Sequence, residues 1–334
     1  MARRLRLTPI RWAVISWAGL LLALGSCSPQ PSPTAAGHAR AAVSEGPRPG
    51  SGAAIVASPP LVPEAKGYTR LNPSRDTLVF YVSSSRGNDD NDGRSPETPV
   101  KTVERGVRLL REGHPDWLLF KRGDVWPTGL GGWVLSGRSA SERMVIGAYG
   151  EGERPRFEFE EEGMGVNGGE SPKEYIDNLV FTSLHFSGKR HDPSKGTPRG
   201  PNPVCVSWLR GGHDVLFEDM RFEYCGVIVI FFDGFPATRF RFNRCLFLDS
   251  YSMGKEHASG LLLHGVKEMI LEENVFDRCG WHPAYPAAVP TIFNHCIYWQ
   301  KDGPADGILR NNIIMRGSSH GAQMRSSGRV EGNV

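Results

Sequence analysis

Four side chains near the end of the sequence suit the removal of a proton beside a carboxylate: His295, Tyr298, His320 and Arg325. A guanidinium can hold a carboxylate bidentately. Neutralising the carboxylate of a uronic acid makes its C5 proton more acidic. An imidazole can then take that proton, and a phenol can protonate the departing oxygen. Together these steps are a β-elimination. Gln300 and Gln323 share the parity of Tyr298 and Arg325 and could bond sugar hydroxyls. A hydrolytic alternative uses Asp233 and Asp302 with His264 between them. Two strand spacings would part those carboxylates by ~9–10 Å, at the upper edge of the inverting range.

The spacing of these residues suggests stacked rows. When Gly234, Gly265, Gly303 and Gly328 are aligned, Gly226, His257, His295 and His320 fall eight residues earlier. Strand parity then sorts each row into core and surface. The expected inward residues are Ile228, Ile230 and Phe232, then Ser259, Leu261 and Leu263, then Ile297 and Trp299, then Ala322 and Met324. One expected outward column is Val206, Val229, Gly260, Tyr298 and Gln323. The next is Trp208, Phe231, Leu262, Gln300 and Arg325, and the third is Arg210, Asp233, His264, Asp302 and Ser327. Trp208 and Phe231 would stack on sugar rings, or be covered by the inserts at 189–203 and 280–292. The histidines are in phase with the core, so a hydrogen-bonded ladder at a turn competes with catalysis. A linear stack makes a poor tetrahedral metal site, and no metal ligand is assigned.

The elements that must carry these rows are short strands. A six-residue pattern recurs from Phe181, Phe217, Phe242, Leu271 and Leu309, and begins again at Val330. Its spacing is irregular and its core is constant, as expected of a coil whose strands are fixed while one turn varies. The fourth position reads Leu184, Met220, Cys245, Asn274, Asn312 and Asn333, so the asparagines should form a ladder along adjacent coils. The sixth reads Phe186, Phe222, Phe247, Phe276 and Ile314, an interior stack. A sandwich of hairpins would need turns every 8–12 residues. Composition agrees with many turns, since Gly supplies 40 of 334 residues, or about 12% against an average of about 7%. With 39 basic and 36 acidic residues, the net charge of +3 excludes a polycation bound to nucleic acid by charge.

The rows and patterns resemble the bacterial right-handed parallel β-helix proteins, the pectate-lyase-like superfamily. Phe80 to Gly93 followed by Thr98 to Thr102 looks like the first strand and cap of that group. Ser136 to Ser139 followed by Val145 to Gly150 adds to the likeness, which covers about 78–334. It implies an all-β, single-stranded right-handed parallel β-helix and an acidic polysaccharide as partner. Lysine is the base in some lyases of this superfamily, which makes Lys267 and Lys301 alternative bases. The same scaffold could instead serve as a non-catalytic carbohydrate-binding or structural envelope protein.

Other segments frame this domain. Basic residues up to Arg11, the apolar run Trp12 to Gly25 and Leu24 to Cys27 resemble a lipoprotein signal over 1–27, with Cys27 lipidated. Export to the cell envelope follows, at an outer membrane if there is one, or else secretion. Residues 28–66 read as a disordered Pro/Ala/Ser linker and 67–334 as the β-helix domain, a monomer with no nucleic-acid partner. Val103, Val107 and Leu110 predict a capping helix over 101–111. The sequence stops inside a repeat, which reads as a truncated C-terminal end. Asn88 to Gly93 has some of the acidic spacing of a calcium loop, so Ca²⁺ is the one cofactor entertained, although an Asx-rich turn fits better. The cysteines read as core residues with no structural disulfide, Cys205 and Cys225 being the least unfavourable pair.

Overall fold

The computed structural model describes residues 67–166, 175–230, 236–254, 256–300, 306–325 and 327–334. Cys27, Phe231, Asp233, Lys301 and Asp302 lie outside the described residues.

The repeated pattern becomes a coil of three strands. Leu179–Thr182 belongs to a first sheet, His185–Gly188 to a second and Val204–Trp208 to a third, and Gly212–Glu218 then returns to the first. Each strand pairs in parallel with its equivalent one coil on. Repetition builds parallel sheets of nine, seven and seven strands, and the domain is a parallel β-helix.

From residue 183 onward, the turn from the first sheet to the second is always two residues long. The first of them is left-handed: Ser183, Asp219, Arg244, Glu273 and Asn311 have φ of 55–59°. An L-residue tolerates this region at a cost, and here each amide is held by a carbonyl of the next coil. Asp219 N donates to Asn243 O at 3.1 Å and Arg244 N to Glu272 O at 3.0 Å. The second turn residue points inward and is the fourth position of the pattern. Asn274 Nδ2 donates to Asn312 Oδ1 at 2.9 Å, and Asn312 Nδ2 to Asn333 Oδ1 at 2.8 Å. The ladder expected from the sequence is therefore formed.

The apolar column beside it packs as expected. Phe222 and Phe247 lie 5.0 Å apart between ring centroids, and Phe247 and Phe276 lie 4.3 Å apart at 7°. A second stack, Phe181–Phe217–Phe242, has spacings of 5.0 and 4.7 Å. Offset aromatic pairs contribute ~0.5–1.5 kcal/mol each beyond the area they bury.

The capping helix is shorter than the sequence predicts, covering Val103–Val107, with the Thr102 side chain accepting from Arg105 N at its start. Val103 and Leu110 are buried against the first coil. Gly106 permits the approach, because a Cβ there would lie 2.7 Å from Val82 Cγ2. The Asn88 to Gly93 segment is an Asx-rich turn. Asp89 Oδ1 accepts from Lys101 N at 2.8 Å and Thr102 N at 2.9 Å, while Asp92 Oδ1 accepts from Arg94 N at 3.0 Å. These oxygens tie the turn to the cap.

One expectation about sulfur is overturned. Cys205 and Cys225 form a disulfide with a Cα–Cα distance of 5.4 Å. The strand beginning at Val204 and the turn ending at Cys225 lie at either end of one coil, so residues distant in sequence meet inside it.

Candidate active site

The third sheet fixes which residues share a surface. Its register aligns Ser207, Ile228, Leu262, Tyr298 and Gln323. Two positions on come Ile230 and His264. Gln300 and Arg325 extend that column, since Gln300 N donates to Leu263 O and Arg325 N to Trp299 O, both at 2.9 Å. These are the outward columns at the C-terminal end. Ile297, Trp299, Ala322 and Met324 turn inward or pack on the core.

His295, Tyr298, His320 and Arg325 come together on this surface. The His295 and Tyr298 ring centroids are 5.1 Å apart, and those of His295 and His320 are 5.4 Å apart. Arg325 places its guanidinium carbon 5.5 Å from the Tyr298 centroid. His295 is buried, Tyr298 half-buried, and His320 and Arg325 exposed, so the cluster grades from a shielded imidazole to an open rim. Burial first, then the positive fields of His320, Arg325 and His257, hold the His295 imidazole down at about 4. It is neutral at neutral pH and can accept a proton. Its Nδ1 is buried without a partner, as is Nδ1 of His264 one column along.

His257 is displaced from the column. Pairing of Leu261 with Ile297 puts His257 level with Phe293, and its Nδ1 lies 3.2 Å from Phe293 O. The three histidines therefore form one tilted pair, His295 and His320, with His257 at the edge.

Trp208 does not belong to this surface. It is fully buried, its ring meeting Phe240 edge-on at 5.0 Å. The true register places it with Val229, Leu263, Trp299 and Met324, inside. Val206 and Val229 are likewise interior, while Ile228 and Ile230 occupy outward positions yet stay covered. Leu262, rather than Gly260, is level with Tyr298. The glycine alignment failed because the turn leaving the third sheet varies in length, and the recurrent left-handed residues lie beyond it: Asp214 and Arg239 inside the first-sheet strands Gly212–Glu218 and Ala237–Asn243, and Glu268 just before Ile270–Glu272.

The inserts beside the third sheet are joined through Tyr251. Its ring stacks 4.7 Å from His191, and lies 4.9 Å from His282 and 5.8 Å from Tyr285. Nearer the cluster, Ile292 and Phe293 are exposed, and Phe293 meets His257 edge-on at 5.8 Å. Sequence parity missed this exposed apolar rim because it lies in an insert between strands.

A second polar group lies on the second sheet, also missed. Arg156, His185 and Arg221 form one outward column, and Glu158, Ser187 and Glu223 another. They line or adjoin a cleft of about 540 Å³ with Arg154, Asp192 and Tyr224. His185 lies 2.9 Å from Glu223, and Arg156 lies 2.8 Å from Asp192. Burial alone would raise Glu223, but hydrogen bonds from His185 and Arg221 outweigh it and bring the carboxyl down to about 2. These charges bind one another. The signal was in the fifth pattern position, which reads His185 and Arg221 before changing to Leu246, Val275 and Ile313.

No protein-family model and no curated protein matches the chain. Among solved structures, one described as a rhamnogalacturonan lyase matches with a TM-score of 0.51 and 13% identity, over 76% of this chain and 62% of that one. A GH136 lacto-N-biosidase from Eubacterium ramulus matches with a TM-score of 0.33 and 14% identity, over 76% of this chain and 67% of that one. The chain thus spans about 62% of the length of the lyase structure. At this identity the likeness to the lyase structure is one of fold, and it agrees with the parallel β-helix traced by the strand pairing.

Proposed function

We propose that the chain is a carbohydrate-active β-helix protein whose third sheet binds an acidic polysaccharide and cleaves it by β-elimination. The observation that carries this reading is the packing of Arg325 on Tyr298 beside the neutral imidazole of His295. Arg325 receives the uronate carboxylate, while His295 or His320 takes the C5 proton. Tyr298 protonates the leaving glycosidic oxygen, so the C–O bond breaks as the C4–C5 double bond forms. Gln300, Gln323 and His264 are placed to bond hydroxyls beside that point. The arriving carboxylate offsets the positive charges around His295 and raises its basicity toward the working pH. The rhamnogalacturonan lyase of similar fold supports this reaction class.

The test is ultraviolet absorbance of the unsaturated uronate product, with the protein mixed with pectate, alginate and rhamnogalacturonan. A rise abolished by Arg325→Ala and by His295→Ala together with His320→Ala supports elimination at this face. Binding without product would favour the non-catalytic reading, for which the exposed apolar rim at Ile292 and Phe293 speaks. We also propose export, with lipid at Cys27. Mass analysis of the mature N-terminus tests it, and an unmodified Met1 would refute it.

A further inference from the structure

Two of the remaining cysteines stand at the ends of one insert. Cys279 follows the strand Val275–Asp277, and Cys296 precedes the strand Ile297–Trp299. One coil type shows what those positions mean. Cys225 holds the place of Cys279, three residues after an interior phenylalanine, and Gly226 follows it directly. Register aligns Val227 with Leu261 and Leu261 with Ile297. Gly226, Gly260 and Cys296 therefore share a level, each just before its strand. In the coil of Cys225 the two levels are chain neighbours, whereas residues 280–295 have been inserted between Cys279 and Cys296. The insert must leave and return at adjacent points.

The sulfurs meet there. Cys279 and Cys296 are both buried thiols, close enough for each to perturb the ionisation of the other. That contact raises Cys279 and lowers Cys296, making Cys296 the better thiolate. Gly260 keeps the space open, since a Cβ there would lie 2.6 Å from Cys279 Sγ and 2.8 Å from Cys296 O. In the disulfide-bonded coil that level falls to Val204 beside the bulged Cys205; with Gly260 at this level, Cys279 has no cysteine partner within its own coil and faces the next one.

We propose that Cys279 and Cys296 form a second disulfide, which closes the neck of the 280–295 insert next to His295. The oxidant is a small-molecule disulfide. Cys296 thiolate attacks one of its sulfurs, giving a mixed disulfide and releasing one thiol. Cys279 then loses its proton to solvent and attacks Cys296 Sγ, releasing the second thiol. Two protein thiols become one S–S bond while the oxidant is reduced to two thiols. Of the cysteines after residue 66, only Cys245 then remains reduced.

The test uses the full chain equilibrated with oxidised glutathione, then denatured in iodoacetamide without reductant and digested with trypsin. The peptide Cys279 to Lys301 holds both cysteines and no internal Lys or Arg. It should appear two hydrogens lighter than the dithiol and without alkyl groups. Full alkylation of both residues, or a bond from either one to Cys245, overturns the proposal. Oxidation should also raise Tm by ~5–10 °C in the native sequence and not in Cys279→Ser. An equal rise in that variant would assign the effect elsewhere and count against the second bond.

Discussion

The guanidinium of Arg325 lies over the ring of Tyr298, 5.5 Å from its centroid. The stacking sets the plane in which a carboxylate can be received, which a lysine could not reproduce. Arg325→Ala should lower kcat/KM on a polyuronide by ~10²-fold or more, and Arg325→Lys should recover little of it. Steady-state kinetics on equal amounts of folded protein checks this, and a full rescue by lysine would mean that charge alone suffices.

His295 and His191 are each held at about 4, in both cases first by burial. The folded value lies below the unfolded one of ~6.5. The stability of the neutral form is therefore complete above pH ~6.5 and is lost as pH falls toward 4. The Tm should drop through this window, and His191→Phe should flatten part of the slope. Imidazole proton shifts followed by NMR should show His295 titrating higher when a uronate is bound; an unchanged midpoint would remove the carboxylate from its neighbourhood.

Asn312 Oδ1 accepts from both N and Nδ2 of Asn274 at 2.9 Å. Asn312→Ala leaves these buried donors unpaired, and each such loss costs ~1–3 kcal/mol. A fall of about 2–4 kcal/mol in urea unfolding is expected, and Asn312→Asp should offer no rescue, because its second carboxylate oxygen would face Leu271 O, Arg310 O and Asn333 Oδ1 where the amide now donates.

Trp208→Ala should behave as a core cavity and cost ~3–5 kcal/mol, while Trp208→Phe should bind polysaccharide as well as the native protein does. Loss of glycan affinity in a fully folded Trp208→Phe variant would restore Trp208 to the binding surface.

Gly307 lies under the indole of Trp299, where a Cβ would fall 2.1 Å from Cη2. Gly307→Ala should cost ~1–3 kcal/mol through the displaced indole. It should also disturb Tyr298, the chain neighbour of Trp299, and so lower kcat in the protein that remains folded.

Much of this was legible in the sequence because the interior repeats strictly. Asn274, Asn312 and Asn333 announce a ladder, and Phe222, Phe247 and Phe276 a stack, since only stacked coils satisfy both. The nearness of His295 to His320 and of Tyr298 to Arg325 followed from the alignment of two rows whose register the sequence reading had right, although parity alone would have sent the histidines inward. Trp208 was misplaced because glycine was taken as the marker of a turn of varying length, whereas the recurrent left-handed residues Asp214, Arg239 and Glu268 fall near the start of the next strand. The Cys205–Cys225 bond and the His191–Tyr251–Tyr285 contacts depend on where inserts fold back. No periodicity encodes that.

The two turns flanking the second sheet have opposite freedoms. The two-residue turn before it carries the buried asparagines, so one added residue would break bonds in two coils at once. The turn after it ranges from Tyr224–Cys225 to residues 278–296 while the strands on either side keep their register. Sequence can thus be exchanged there without refolding the spine, and that turn opens beside the third sheet. New ligand specificities can arise by grafting at this one corner, coil by coil, with the hydrogen-bonded corner opposite serving as the fixed ruler.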